Sequence, residues 1–371
     1  MVVLSLAAWA SMVAGACLQD GPIRVGDGGA AAQVAVPAAS AAEVIAAEFA
    51  KLSADPDATT AQASIASIVA AAATDPRAAV GLTQTIARTR PTGSTEALLG
   101  ALVDLVDQRD VQGWACYTLA KLRLAFADDV RYLTDESVAA TAREAYAKQR
   151  GAALAQANVA RGVAALRTEG LAALRRVVED FYFAEHRRAG YLGAIADAEL
   201  YEFEHLAVGL VAPEIEGVDE DGVPFKLSDY RGKVVAVDFW GYWCPICVAN
   251  IPPERELVAK VGDDAFALVG INSDPKDRLA IGMKHLPLPW RSFWDGGDAY
   301  GPIARRWNVQ QWPMYYVLDE EGVIRAKGED FDAVAAKVEE LVAAHRAREA
   351  APVGTGTKPA APRSSEPRDA R

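Results

Sequence analysis

At 371 residues the chain is long enough for two domains with separate cores. A composition of 51% hydrophobic and 24% charged residues is that of an ordinary globular protein, with an N-terminal half rich in alanine. The formal net charge of -12 counts against nucleic acid or anionic lipid as a partner, since both would repel the protein.

The first element is the run MVVLSLAAWASMVAGA, apolar from Met1 to Ala16 apart from Ser5 and Ser11. It is too short to span a bilayer and suits the apolar region of a secretory signal. Ala14-Gly15-Ala16 supplies a small-residue cleavage site. Cys17, directly after it, is similar to the lipidated cysteine of a bacterial lipoprotein box, although Ala14 stands where leucine is usual and no Lys or Arg precedes the run. Residues 1–17 are therefore expected to be a signal peptide or lipoprotein signal. The expected location is extracytoplasmic, in periplasm or cell envelope, with a lipid anchor at Cys17 as one outcome. Residues 18–40, rich in Gly, Ala, Pro and Ser, read as a flexible linker.

From 41 to 206 apolar residues recur at spacings of three and four, with breaks such as Asp-Pro and Arg-Pro-Thr-Gly. About seven amphipathic helices are expected, packed as an all-α bundle or hairpin array. No chemistry stands out in them. Cys116 reads as a small buried residue, and His186 and His205 as solvated or satisfied side chains. The aromatic run EDFYFAEHRRAGY reads as helix core, with a protein-binding surface as the alternative.

The character changes after Gly209. The segment APEIEGVDEDGVPFKLSDYRGK carries an Asp-Gly hairpin signal. VVAVDFW is the nearly all-apolar run of a strand buried on both faces. A helix follows to about Lys260, then a second buried strand (AFALVGINSD), a helical stretch after Pro275 and an irregular or edge segment (PWRSFWDG). A short helix (YGPIARRWNV), a hairpin (MYYVLDEEGVIRAKG) and a closing amphipathic helix complete a compact α/β domain over 207–346 with a mixed sheet. The tail, 347–371, has a low-complexity composition and is expected to be disordered.

Of the four cysteines, Cys244 and Cys247 are the candidates for chemistry, in the motif Cys-Pro-Ile-Cys. The motif follows a buried strand and opens a helix, whose unpaired N–H groups and partial positive charge stabilise a thiolate. Cys244 is then the exposed nucleophile and Cys247, one turn on, resolves the mixed disulfide. Pro245 fits the first helical turn, where its missing N–H is not needed. Asp238, a carboxylate inside an apolar strand, is expensive to bury without a function and is the candidate base for Cys247. Pro313, just ahead of a strand, is placed for a cis-proline turn against the cysteines. Zinc would require two further ligands that the Cys and His supply does not offer, so no metal is expected.

These residues together resemble the thioredoxin superfamily, most closely thiol-disulfide oxidoreductases of the TlpA/ResA type. The resemblance rests on VDFWGYWCPIC, on Pro252 five residues after Cys247, on NSD after the second strand and on WPMYYVLDEEGVIR. Taken whole, the helical half joined to this domain is similar to secreted proteins of planctomycete-type bacteria. The resemblance implies exchange of dithiol and disulfide with protein substrates, without a bound cofactor, and a membrane or periplasmic electron-transfer partner. It also implies Trp243, Pro245, Trp312 and Pro313 as substrate-binding residues. Departures from the family pattern are Pro-Ile between the cysteines, Trp312 and Met314 flanking the proline, and Gly270 where thioredoxin has a lysine near the buried acid. Two rivals are an antioxidant peroxidase of the peroxiredoxin type and a helical protein-binding module with an accessory redox domain. Gly241 and Val237 occupy the positions where a peroxidatic site carries Thr and Pro, so thiol exchange is favoured, in the direction of a reductase.

Overall fold

A computed structural model of the chain describes residues 39–54, 58–186, 190–297, 299 and 301–350. The signal segment with Cys17, all but the end of the 18–40 linker, and the tail beyond 350 lie outside the described residues. The chain divides into two units between Leu200 and Tyr201, where the sequence suggests 206/207.

The first unit is helical, with α1 (Ala41–Ala54), α2 (Ala58–Thr74), α3 (Pro76–Ile86), α4 (Thr95–Leu105), α5 (Arg109–Thr134), α6 (Ala140–Arg150), α7 (Ala152–Arg161) and α8 (Val163–Asp180). Local chemistry sets the boundaries. Asp75 caps α3 by accepting the Ala78 N–H at 3.0 Å, with Pro76 at the first helical position. Gly151 and Gly162, at φ 92° and 81°, separate α6, α7 and α8. The 26-residue α5 is the central helix. It meets α8 at Gly170, where a Cβ would come within 2.8 Å of Leu124. Cys116 is buried on α5, and burial pushes its thiol up to about 11.

Two expectations change here. The short helices α3 and α7 are additional to the seven segments. The aromatic run does not continue a helix: α8 ends at Asp180, and the chain turns through the two-residue strands β1 (Glu185–His186) and β2 (Gly190–Tyr191) into α9 (Leu192–His205). Phe183 is 74% exposed instead of lying in a core, while His186 stacks on Trp114 at 5.4 Å.

The second unit begins within α9. Leu206 is fully buried in this unit's core, and Glu202 takes hydrogen bonds from Lys327 at 2.6 Å and Asn308 at 2.7 Å. A hairpin of β3 (Glu216–Val218) and β4 (Pro224–Lys226) leads to β5 (Val234–Trp240). There follow α10 (Pro245–Val261), β6 (Phe266–Asn272), α11 (Lys276–His285), β7 (Ser292–Trp294), α12 (Pro302–Arg306), β8 (Met314–Leu318), β9 (Ile324–Gly328) and α13 (Phe331–Ala350). The sheet order is β7-β6-β5-β8-β9. The β5–β6 and β6–β7 pairs are parallel and the β5–β8 and β8–β9 pairs antiparallel, which is the mixed sheet expected.

Central position explains why VVAVDFW lacks polar alternation: all seven residues of β5 are buried, because both sheet faces are covered. Val234, Ala236 and Trp240 face a layer containing α10, α11 and α13. Val235, Val237 and Phe239 face the other layer, with Ile215, Phe225 and Trp307. Period-two alternation puts Asp238 on the α10 side.

Candidate active site

The loop after β5 carries Gly241-Tyr242-Trp243 into Cys244, and α10 starts one residue later. Cys244 and Cys247 form a disulfide, with their Cα atoms 5.3 Å apart. The Cys247 backbone N–H donates to Cys244 Sγ at 3.2 Å, so Cys244 is the N-cap of α10 and the helix terminus points at its sulfur. The Trp312 carbonyl oxygen lies 3.6 Å from the same sulfur, on a Trp312–Pro313 peptide that is cis, the isomer the sequence suggests. Both cysteines are buried, at 4% and 2% exposure, so in the disulfide Cys244 is not the exposed sulfur that the sequence suggests; Pro245 and Ile246 between them are exposed. Pro313 is buried. Trp243 and Trp312 are half-buried and meet edge to face at 5.5 Å, forming one rim of the site.

The loop bearing the first cysteine is held from the end of β6. Asp274 Oδ2 accepts the Tyr242 N–H at 2.7 Å and an Asn272 side-chain N–H at 2.8 Å. Ser273 Oγ accepts from the Trp243 indole at 3.3 Å and donates to the Trp240 carbonyl at 3.2 Å. The NSD motif thus positions the residues ahead of Cys244. Gly282 lets the ring of Tyr242 lie against α11, since a Cβ there would fall 2.2 Å from it.

Under α10, Asp238 is 3% exposed, and its Oδ1 has no hydrogen-bond partner. Burial, reinforced by the nearby Glu254, pushes its carboxyl well above the ordinary range. No group of three or more His, Cys, Asp or Glu among the described residues is arranged to hold a metal ion.

The sequence of this domain is similar to those of known proteins. The AhpC/TSA family model matches residues 208–327. The thiol-disulfide oxidoreductase ResA of Geobacillus kaustophilus is 29% identical over 121 residues, which cover 32% of this chain and 68% of that protein. ResA of Bacillus thuringiensis strain Al Hakam is 31% identical over 135 residues, covering 36% of this chain and 73% of that protein. The chain belongs to the ResA family of thiol-disulfide oxidoreductases. A solved structure of the thioredoxin domain of a thiol-disulfide oxidoreductase from Bacteroides vulgatus is 28% identical, covers 37% of this chain and 98% of its own, and has a TM-score of 0.34.

In this ResA-family domain the structure adds residues that sequence reasoning missed. The buried stripe of α10 runs Cys247, Ile251, Glu254, Leu257, Val261. Glu254 is 1% exposed, its Oε1 accepting the Tyr315 hydroxyl at 2.6 Å, and Tyr315 in turn accepts from Asn250 at 3.1 Å. Burial pushes Glu254 up to about 7, against the pull of the Tyr315 hydrogen bond. The signal for Glu254 was available: a carboxylate at a core position of a helix, by the logic that singled out Asp238 in a strand. Asp274 also stands out only once its acceptor role toward Tyr242 is visible.

Proposed function

We propose that this protein exchanges a Cys244–Cys247 dithiol/disulfide with protein substrates, acting as a reductase in an extracytoplasmic compartment. The observation that carries the reading is the disulfide at the N-terminus of α10, with Cys244 as cap and Cys247 beneath it. Reduced, Cys244 would ionise first, because the Cys247 N–H and the helix dipole favour its thiolate. It attacks a substrate disulfide, and Cys247 releases the substrate by attacking Cys244 Sγ. Asp238, on the sheet face under α10, is the acceptor for the Cys247 proton. Trp243, Pro245, Trp312 and Pro313 form the surface against which a peptide lies.

Weak thiolate stabilisation supports the reducing direction. Cys244 Sγ has one backbone donor, faces the Trp312 carbonyl oxygen and is buried. Among the described residues no hydrogen bond or ion pair brings a Lys, Arg or His to either sulfur. A dithiol that gains little from ionising is a better electron donor, since strong oxidants of the DsbA type owe their potential to a stabilised reduced form. The apolar run before Cys17 supports export, by signal cleavage or lipid anchoring, and a membrane or periplasmic electron donor would then keep the pair reduced.

Two measurements test this. In insulin reduction, Cys244→Ser should be inactive and Cys247→Ser should accumulate mixed disulfides; full activity of Cys244→Ser rules the mechanism out. The reduction potential of the pair should fall near thioredoxin's, about −270 mV, and a value near about −120 mV would reverse the direction.

A further inference from the structure

Asp238 and Glu254 come from different elements, β5 and α10, and converge in one layer between the sheet and the helices. Glu254 sits seven residues after Cys247 on the same buried stripe, two turns or roughly 10 Å along the helix, so it does not reach the sulfurs. Asp238 pairs across the sheet with Tyr315 on β8 and with Gly270 on β6. Tyr315 hydrogen-bonds Glu254, which ties the two acids to one tyrosine. Apolar side chains surround them, with Trp240 and Val317 from the sheet and Phe331, Val334 and Val338 from α13. The titratable groups this layer brings together include Cys244 and Cys247, Tyr242 at its edge, Tyr315 and the two carboxyls. Among the described residues no cation pairs with either acid, and a side chain at 270 is excluded because its Cβ would lie 2.2 Å from Ser292 Oγ.

We propose that Glu254 is a positioning residue for thiol-disulfide exchange: it shares one proton with Asp238, and its negative charge makes Asp238 a strong enough proton acceptor to exchange with the Cys247 thiol. Two buried carboxyls without a cation cannot both ionise cheaply, so one keeps its proton. The hydrogen bonds decide which. Glu254 accepts from Tyr315 and is the better anion, whereas Asp238 Oδ1 has no donor. Burial acts on both acids in the direction of retained protons. An acceptor whose proton affinity approaches that of a thiol moves protons efficiently both ways.

The Cys244 thiolate attacks the substrate disulfide and expels one substrate thiolate. Asp238, which holds the pair's proton at rest, gives it up to solvent and then takes the Cys247 proton. The Cys247 sulfur attacks Cys244 Sγ, expelling the second substrate thiolate. The protein loses two electrons and becomes the disulfide. The two substrate thiolates take two protons from solvent, and Asp238 keeps the one it received, which restores the singly protonated pair.

This inference rests on Cys247 as the resolving thiol and Asp238 as its base. The experiment is a carbon-13 titration of Asp and Glu carboxyls in the oxidised full-length protein, alongside the pH dependence of single-turnover oxidation of the reduced protein by oxidised glutathione. In the wild type, each of the two carboxyl signals should titrate in two steps, because each senses the other. Glu254→Gln, which keeps an acceptor for Tyr315, should lower the Asp238 midpoint by about one pH unit or more and move the rate profile to lower pH by a similar amount. In an Asp238→Asn background the same substitution should leave the rate profile unchanged. An unmoved Asp238 midpoint in folded Glu254→Gln overturns the proposal. So do single-step titrations of both acids at ordinary carboxylate pH in the wild type, which settles the matter even if the variant fails to fold. If Cys247→Ser no longer traps mixed disulfides, the underlying reading fails instead, and the titrations separate the two failures.

Discussion

At the residue scale, burying two acids has a cost that depends on pH. Glu254 ordinarily titrates at 4.5 and is raised to about 7 in the folded protein. Below about pH 4.5 the folded and unfolded chains both hold the proton and nothing is lost. Between 4.5 and 7 only the folded chain retains it, so stability falls as pH rises, and above about 7 the full penalty applies. The size is on the order of 3 kcal/mol at about 1.4 kcal/mol per pH unit. The thermal midpoint of the oxidised protein should therefore drop between pH 5 and 8, more steeply than in Glu254→Gln; parallel curves would contradict this. Tyr315→Phe removes the donor to Glu254 and should cost about 1–3 kcal/mol in denaturant unfolding. Asp238 was legible from sequence because an acid interrupts an otherwise apolar strand. Glu254 takes one step more: its core position emerges when the helix is aligned on Cys247, which puts Cys247, Ile251, Glu254, Leu257 and Val261 on one buried stripe.

At the scale of elements, the N-terminus of α10 makes one variant unusually clean. Serine is among the best N-caps, and at position 244 its hydroxyl can accept the Cys247 N–H that the sulfur now accepts. Cys244→Ser should then unfold within about 1 kcal/mol of the reduced wild type while exchanging no disulfides; a much larger loss of stability would show that the cap is not what holds this turn. The hairpins were readable for a similar local reason. Asp219 and Asp319 each accept backbone N–H groups two and four residues on, ahead of Gly222 and Gly322 at φ 83° and 79°, and each pairs with an arginine, Arg291 or Arg325. Asp-x-x-Gly declares such a turn directly. The stretch from Phe181 to His186 reads as helix core because its aromatic content resembles a buried helix face. Its geometry is set by tertiary partners such as Trp114, whose indole donates to the Glu185 carbonyl at 3.0 Å, and no local pattern reports that bond.

For the whole molecule, the two units have separate cores, and where the second begins decides what a fragment can do. Composition changes after Gly209 and the sequence suggests a boundary at 206/207, but composition cannot see that Tyr201–Leu206 belong to the second unit. Leu206 is completely buried with Ile215 and Trp307, the Arg306 guanidinium lies 3.4 Å from the centre of the Tyr201 ring, and Glu202 holds Lys327 on β9. A fragment of residues 201–350 should fold and reduce insulin disulfides as fast as the full chain, which would leave the helical unit a role in docking or localisation. A fragment starting at 210 loses a core leucine worth about 2–5 kcal/mol by comparison with large-to-small core substitutions. In a unit of this size that lowers the thermal midpoint by roughly 5–15 °C. Differential scanning calorimetry of the two fragments checks the boundary. Equal midpoints would mean that residues 201–209 add nothing to this fold. A slow but fully folded 201–350 fragment would assign the helical unit a direct part in catalysis, the outcome expected if it captures the protein whose disulfide is exchanged.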